Sequence, residues 1–113
     1  MLRGEIWYAA WPGDLRAKQR PVLIVSNDFR NSAPHLLDVV AVKLTGLYRD
    51  DRSKKPTHPS EDVVVTLKKE TIIRCAAIFA IEKSILKNRV WQLSSDVMRE
   101  VDEKLRQVLQ LSV

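Results

Sequence analysis

The sequence predicts an α+β domain, mostly β: a strongly curved or partly closed five-stranded barrel with an amphipathic helix at its C-terminal end. Three observations lead there. Five short runs rich in β-branched and aromatic residues are separated by turn signals. Two of them, "DVVVTL" and "TIIRCAAIFAI", flank only "KKE", a connection too short for a crossover helix, so that pair is antiparallel. The closing stretch "SSDVMREVDEKLRQVLQL" changes from strand-like to helical periodicity. A chain of 113 residues suits one core, so residues 1–113 are expected to form a single domain.

Each element has its own signal. "EIWYAAW" (5–11) is apolar on both alternating faces, as in a strand covered on both sides, and "PGD" ends it. "PVLIVS" (21–26) is β-branched, and Arg20 before Pro21 is biased to extended backbone. Ser26, Asn27 and Asp28 then turn the chain or cap a short helix. "DVVAVKLT" (38–45) is a third strand. Gly46 leads into "LYRDDRSKKPTHPS", whose length and lack of pattern mark a loop that is a candidate mobile lid. After the hairpin, "EKSILKNRVWQL" reads as one helical turn and a short extended piece. The final helix places Val97, Val101, Leu105, Val108 and Leu109 on one face, with Ser94 or Ser95 as cap and Asp96 in the first turn.

Composition narrows the class. With 45% apolar and 29% charged residues and only 3 glycines and 5 prolines, the chain is a globular protein rather than a disordered or fibrous one. Nineteen Lys and Arg against fourteen Asp and Glu leave a net charge of +5, which favours polyanionic partners such as nucleic acid. Cys75 is the only cysteine, so no intrachain disulfide or thiolate metal cluster can form, and the residue reads as buried strand packing. The N-terminus lacks a secretory h-region, and no apolar run approaches the roughly 20 residues that span a bilayer. A reducing, cytoplasmic setting without membrane contact is expected. No metal-ligand cluster or glycine-rich phosphate loop is visible.

The stretches "RGEIWYA", "RPVLIVSND" and "VVAVKLTG", followed by the C-terminal amphipathic helix, together resemble the MazF/PemK/Kid family of toxin endoribonucleases from bacterial toxin–antitoxin pairs. The resemblance spans nearly the whole chain. It implies an SH3-like barrel with appended helices, shared with CcdB, and a homodimer. It also implies metal-independent cleavage of single-stranded RNA without a cofactor, and restraint by a cognate antitoxin through an acidic C-terminal segment. In that chemistry the ribose 2′-OH attacks the adjacent phosphate, leaving a 2′,3′-cyclic phosphate and a 5′-OH. A base, an acid and a cation on the phosphoryl oxygens are needed.

The resemblance implies catalytic roles for Arg20, Thr45 and Arg74. Arg20 matches the family's arginine before proline, whose fork fits phosphate oxygens; taken alone it reads rather as a strand-edge charge paired with a carboxylate such as Asp14 or Glu5. Thr45 matches a hydroxyl residue that bonds phosphate, or is an ordinary strand residue before a glycine turn. Arg74 is a proton donor or phosphate ligand. The expected RNA-binding set is Ser26 in the Ser-Asn-Asp turn, Lys54, Lys55 and His58 on the long loop, and Phe79 as a base-stacking ring. Each has a plainer alternative: capping for Ser26, solvation for the loop residues, core packing for Phe79. His35 has no such context.

The fifth strand departs from the family pattern. Where PemK-like members carry an acidic base, an amide and a second arginine, this chain has Ala76, Ala77 and Phe79, which cannot move a proton or bind phosphate. Two functions therefore stand side by side. One is a sequence-selective mRNA interferase that arrests growth. The other is a binding protein of the same fold, either an impaired nuclease or a gyrase-type toxin; "LRQVLQLSV" lacks the paired aromatic-and-polar ending associated with CcdB.

Overall fold

Apolar residues alternate along the strands in a way that covers both faces of one sheet. On one face Ile6, Leu23, Val42, Leu44 and Ile73 meet Leu93, Met98 and Val101; on the other Ala9, Val22, Ile24, Val39 and Ala41 meet Ile81 and Leu86. The computed structural model describes residues 1–112. Its strands are β1 (Glu5–Ala10), β2 (Gln19–Ile24), β3 (Asp38–Gly46), β4 (Asp62–Thr66), β5 (Glu70–Glu82) and β6 (Arg89–Gln92). They form one curled antiparallel sheet in the order β4-β5-β3-β2-β1-β6. Two helices accompany it, α1 (Asp28–Ser32) and α2 (Ser95–Leu109), with a 3₁₀ turn at Lys83–Ile85.

The half-barrel thus has six strands where five were expected. The extra strand is the short extended piece before α2, and its four residues are all exposed, so no alternation of burial announces it. Main-chain pairing to β1 makes it a strand, with Glu5 opposite Gln92 and Leu93 N–H donating to Gly4 C=O at 3.0 Å. Gly4 has φ +92°, a backbone conformation that side chains with a Cβ rarely adopt, so glycine suits this turn into β1.

Two features differ from a plain barrel and shape the site. First, β5 is interrupted opposite β3: Lys43 pairs with Arg74, but the next residue, Val42, pairs with Ile78. Cys75, Ala76 and Ala77 are extra residues in a bulge, which bends the 13-residue strand. Second, part of the segment read as a candidate mobile lid folds back as a small hairpin. Tyr48 bridges Lys54, Arg49 N–H donates to Ser53 C=O at 2.8 Å, and Lys55 N–H donates to Leu47 C=O at 2.8 Å. Asp51 Oδ1 closes the turn by accepting from Ser53 N–H at 3.0 Å. Loop polarity hid this order, because main-chain bonds rather than apolar spacing supply it.

Helix α2 covers β4 and β5. Ser94 Oγ caps it by accepting from Val97 N–H at 3.3 Å, and Gln110 ends it in the left-handed conformation, where Leu111 N–H reaches back to Arg106 C=O at 2.9 Å. Its buried stripe is Met98 and Val101 with Val97, Leu105 and Val108; Leu109 is 52% exposed and lies off that stripe. Arg3 fastens the N-terminus to it, donating to Asp102 Oδ1 at 2.5 Å and to Val25 C=O at 2.8 Å. α1 begins where Asn27 Oδ1 accepts from Arg30 N–H at 2.8 Å.

Glu5 is the buried charge of the β1–β6 edge. Burial alone would raise its carboxyl, but three donors outweigh that and hold it below its ordinary value of 4.5: Leu2 N–H at 2.8 Å, Trp7 Nε1 at 3.1 Å and Arg89 Nη1 at 3.2 Å. A carboxylate depressed by folding adds stability above its unfolded value, and that stability is lost as pH falls through the folded one. Glu5→Gln should therefore cost about 1–3 kcal/mol at neutral pH, as for an unmade bond to a charged group. The difference from wild type should shrink as pH drops below the ordinary carboxylate range, measured by thermal unfolding across pH.

Candidate functional site

The β1–β2 pairing sets Arg20 opposite Ala9, so its side chain leaves the sheet on the same face as Ala9 and Trp11. There Arg20 Nε donates to Asp14 Oδ2 at 3.1 Å, and the guanidinium carbon lies 4.7 Å from the centre of the Trp11 ring. Lys43 Nζ approaches the same ring at 4.8 Å. Two cations share one indole, each attraction on the order of 0.5–2 kcal/mol. The Trp11 Nε1–H is buried and finds no acceptor among the described residues. The bond from Arg20, and then the Arg16 N–H, holds the Asp14 carboxyl below its usual range. The carboxylate partner considered for Arg20 is therefore Asp14, and the pair leaves Nη1 and Nη2 without a hydrogen bond among the described residues.

Across the sheet, β5 brings in Arg74 beside Lys43. Arg74 Nη1 donates to Asp62 Oδ2 at 2.7 Å and to Pro56 C=O at 3.2 Å, and the same carboxylate oxygen accepts from His58 N–H at 2.9 Å. Asp62, 4% exposed, thus joins the strand arginine to the end of the loop. The folded loop returns Lys55 to β3, where its Nζ donates to Thr45 Oγ1 at 2.6 Å. Burial first, and then the charges of Arg74, Arg49 and Lys69, push the Lys55 ammonium below its ordinary pKa, against an opposing pull from Asp50.

Two clefts meet here. One, of about 510 Å³, holds Arg74, His58, Glu61 and the bulge residues Ala76 and Ala77; the other, of about 570 Å³, holds Arg20, Tyr8, Tyr48, Arg49 and Lys69. Trp11, Thr45 and Lys55 line both, so they form the shared wall between the two arginines. A phosphate at that wall would have a hydroxyl, an ammonium and two guanidinium groups around it, with an indole beside it on which a base could stack.

Of the residues singled out from sequence, Arg20, Thr45, Arg74, Lys55 and His58 converge on this region. Lys54 does not; its Nζ sits 5.9 Å from the Tyr48 ring and lines neither cleft. Ser26 is 8% exposed and spends its hydroxyl on Asn31 Oδ1 and on Val40 N–H, which donates to it at 3.0 Å, so it belongs to the fold of α1. Phe79 packs on the apolar layer of Val39, Ala41 and Ile81 and lines neither cleft. Trp11, Lys43, Glu61 and Asp62 were missed. The strand alternation of "EIWYAAW" and "VAVKLT" puts Trp11 and Lys43 on the arginine face once register is known. Nothing local marks Glu61 or Asp62.

A curled antiparallel sheet whose open face gathers cations around an indole defines a protein that handles a polyanion. Comparison with known proteins gives this class its family. The model of the PemK-like, MazF-like toxins of type II toxin–antitoxin systems matches residues 2–109, and the chain belongs to that family. It is 32% identical to endoribonuclease MazF2 of Mycobacterium bovis and to endoribonuclease MazF6 of Mycobacterium tuberculosis, with 96% of this chain and 96% of each relative covered. A mycobacterial endoribonuclease solved in complex with its cognate antitoxin superposes with a TM-score of 0.78 at 26% identity, over 100% of this chain and 98% of that one.

Cys75, whose Sγ lies in the core under the bulge, is pushed up to about 12, mainly by burial and then by the Asp62 charge. As the thiolate is the reactive form, the native protein should resist alkylation at pH 8 and react fully once unfolded, scored by mass spectrometry.

Proposed function

We propose that this toxin is a MazF-type endoribonuclease that cleaves single-stranded mRNA without a metal ion, through attack of a 2′-OH on the neighbouring phosphate. The observation that carries the reading is the shared wall: Thr45 and Lys55 between Arg20 in one cleft and Arg74 in the other. Arg20 and Arg74 neutralise charge as it builds on the phosphoryl oxygens, and both are preorganised by carboxylates, so little reorganisation is left for the transition state. Thr45 adds a hydroxyl that bonds a phosphoryl oxygen. Trp11 and His58 face the flanking nucleotides.

The active form is a homodimer, and a cognate antitoxin restrains it; one relative was solved in complex with its own cognate antitoxin. An acidic extended segment of that partner is drawn by the same positive field that draws RNA. No helix among the described residues is long and apolar enough to cross a membrane, and the protein acts in the cytoplasm, where mRNA is translated. A second reading, an RNA-binding relative without chemistry, is favoured by Ala76 and Ala77, which put no proton-transfer group on the bulge.

Cleavage of a long single-stranded RNA in EDTA separates the two readings. The purified protein should cut at a recurring short sequence and leave 5′-OH ends. Arg20→Ala and Arg74→Ala should each lower the rate by about 10²–10³-fold, the usual loss for a donor to a developing oxyanion. Thr45→Ala should lose about tenfold, in line with one hydrogen bond to a charged group. Binding without cutting by wild type would establish the second reading.

A further inference from the structure

We propose that Lys55 Nζ is the general acid that protonates the leaving 5′-oxygen. The assignment rests on the ribonuclease reading above. An arginine keeps its proton in proteins, so Arg20 and Arg74 neutralise charge without transferring protons. Asp14 and Asp62 are each held by an arginine and serve as anions. His58 lines only the Arg74 cleft, whereas Lys55 lines both clefts and bonds Thr45.

Lys55 has the position. Its Nζ is 2.6 Å from Thr45 Oγ1 and lines both clefts, and one N–H on Thr45 leaves two directed at whatever the clefts hold. Because Thr45 Oγ1 accepts that bond, its own hydroxyl proton is left to donate to a phosphoryl oxygen, which would hold the scissile phosphate beside Nζ. The hairpin fixes the approach, since the Lys55 main-chain N–H is tied to Leu47 C=O at 2.8 Å. The groups around the ammonium are Arg49 and Asp50 from the loop, Lys69 from the β4–β5 turn, Arg74 from β5, Lys43 from β3, and His58, Glu61 and Asp62 before and in β4. Burial, and then the surrounding cations, make the ammonium a stronger acid than lysine in water.

The proton account closes. The 2′-OH loses its proton to water in a preceding equilibrium, and the O2′–P bond forms as the P–O5′ bond breaks. The electron pair left on O5′ takes a proton from Nζ, which becomes a neutral amine and is recharged from water, so no net proton is consumed.

The test uses the wild-type recognition sequence in a DNA oligonucleotide with one ribonucleotide at the cut. The bridging atom to the leaving nucleoside is oxygen in one version and sulfur in the other; a thiolate leaves without protonation. Lys55→Met and Lys55→Arg should slow cleavage of the oxygen substrate at least about 10²-fold more than they slow cleavage of the sulfur substrate, as for loss of a general acid beyond any loss of binding. In the wild-type enzyme the oxygen-to-sulfur rate ratio should fall about tenfold per pH unit once pH exceeds the Lys55 pKa, a readout that needs no variant to fold. Equal slowing on both substrates, restoration of oxygen cleavage by arginine, or a pH-independent wild-type ratio would each overturn the assignment. Wild-type protein that cuts neither substrate would remove the ribonuclease reading itself, and the acid with it.

Discussion

Crowding of like charge is the constraint on which the rest of the structure depends. Arg20, Lys43, Lys55 and Arg74 converge on one face of the sheet, with Arg49 and Lys69 at its border. Two unit charges about 4 Å apart repel by about 1 kcal/mol in water and about 4 kcal/mol at a protein surface of lower effective dielectric. The fold offsets this locally. Asp14 binds Arg20, Asp62 binds Arg74, and the Trp11 ring takes the remaining faces of Arg20 and Lys43. Among the described residues Lys55 Nζ has no carboxylate partner and bonds the hydroxyl of Thr45. The arrangement remains net positive, so it is completed energetically when a polyanion arrives.

Backbone devices deliver those groups. The bulge at Cys75–Ala77 lets β5 keep Ile73 and Ile78 on the helix side while Arg74 stays on the cleft side. Its two alanines keep the cleft beside Arg74 open, where larger side chains would fill it. The small hairpin at 48–54 carries Lys55 back over β3, and the Asp62 contacts to Arg74 and His58 N–H pin the end of the same segment. Thr45 is thus approached from the loop, while the two arginines come from strands on either side.

The fold was legible wherever burial leaves a period in the sequence. The first five strands, the hairpin and α2 all have one face or both against a core, and their boundaries in the structure move by only a residue or two from the pattern. β6 and the loop hairpin were not legible because main-chain pairing, with little burial, holds them. Within the site, the resemblance and the residue types pointed to Arg20, Thr45, Arg74, Lys55 and His58. The partners that orient them, Asp62 above all, depend on a register and a bulge that one-dimensional periodicity does not encode. Ser26 uses its hydroxyl within the fold of α1, and Phe79 is half-buried against the apolar layer with its ring 6.0 Å from Lys43 Nζ.

In the proposed mode of action, RNA is engaged on the face carrying Trp11 and the two arginines. The most direct measurement is an NMR titration of the protein with the recognition sequence as a non-cleavable, 2′-deoxy oligonucleotide, following backbone amides, the three indole N–H signals and the arginine Nε–H signals. The largest changes should fall at Trp11, Arg20, Thr45, Lys55 and Arg74 and weaken with salt as phosphate contacts do. Changes concentrated on α2 or β6, with Trp11 and Arg20 unmoved, would contradict it.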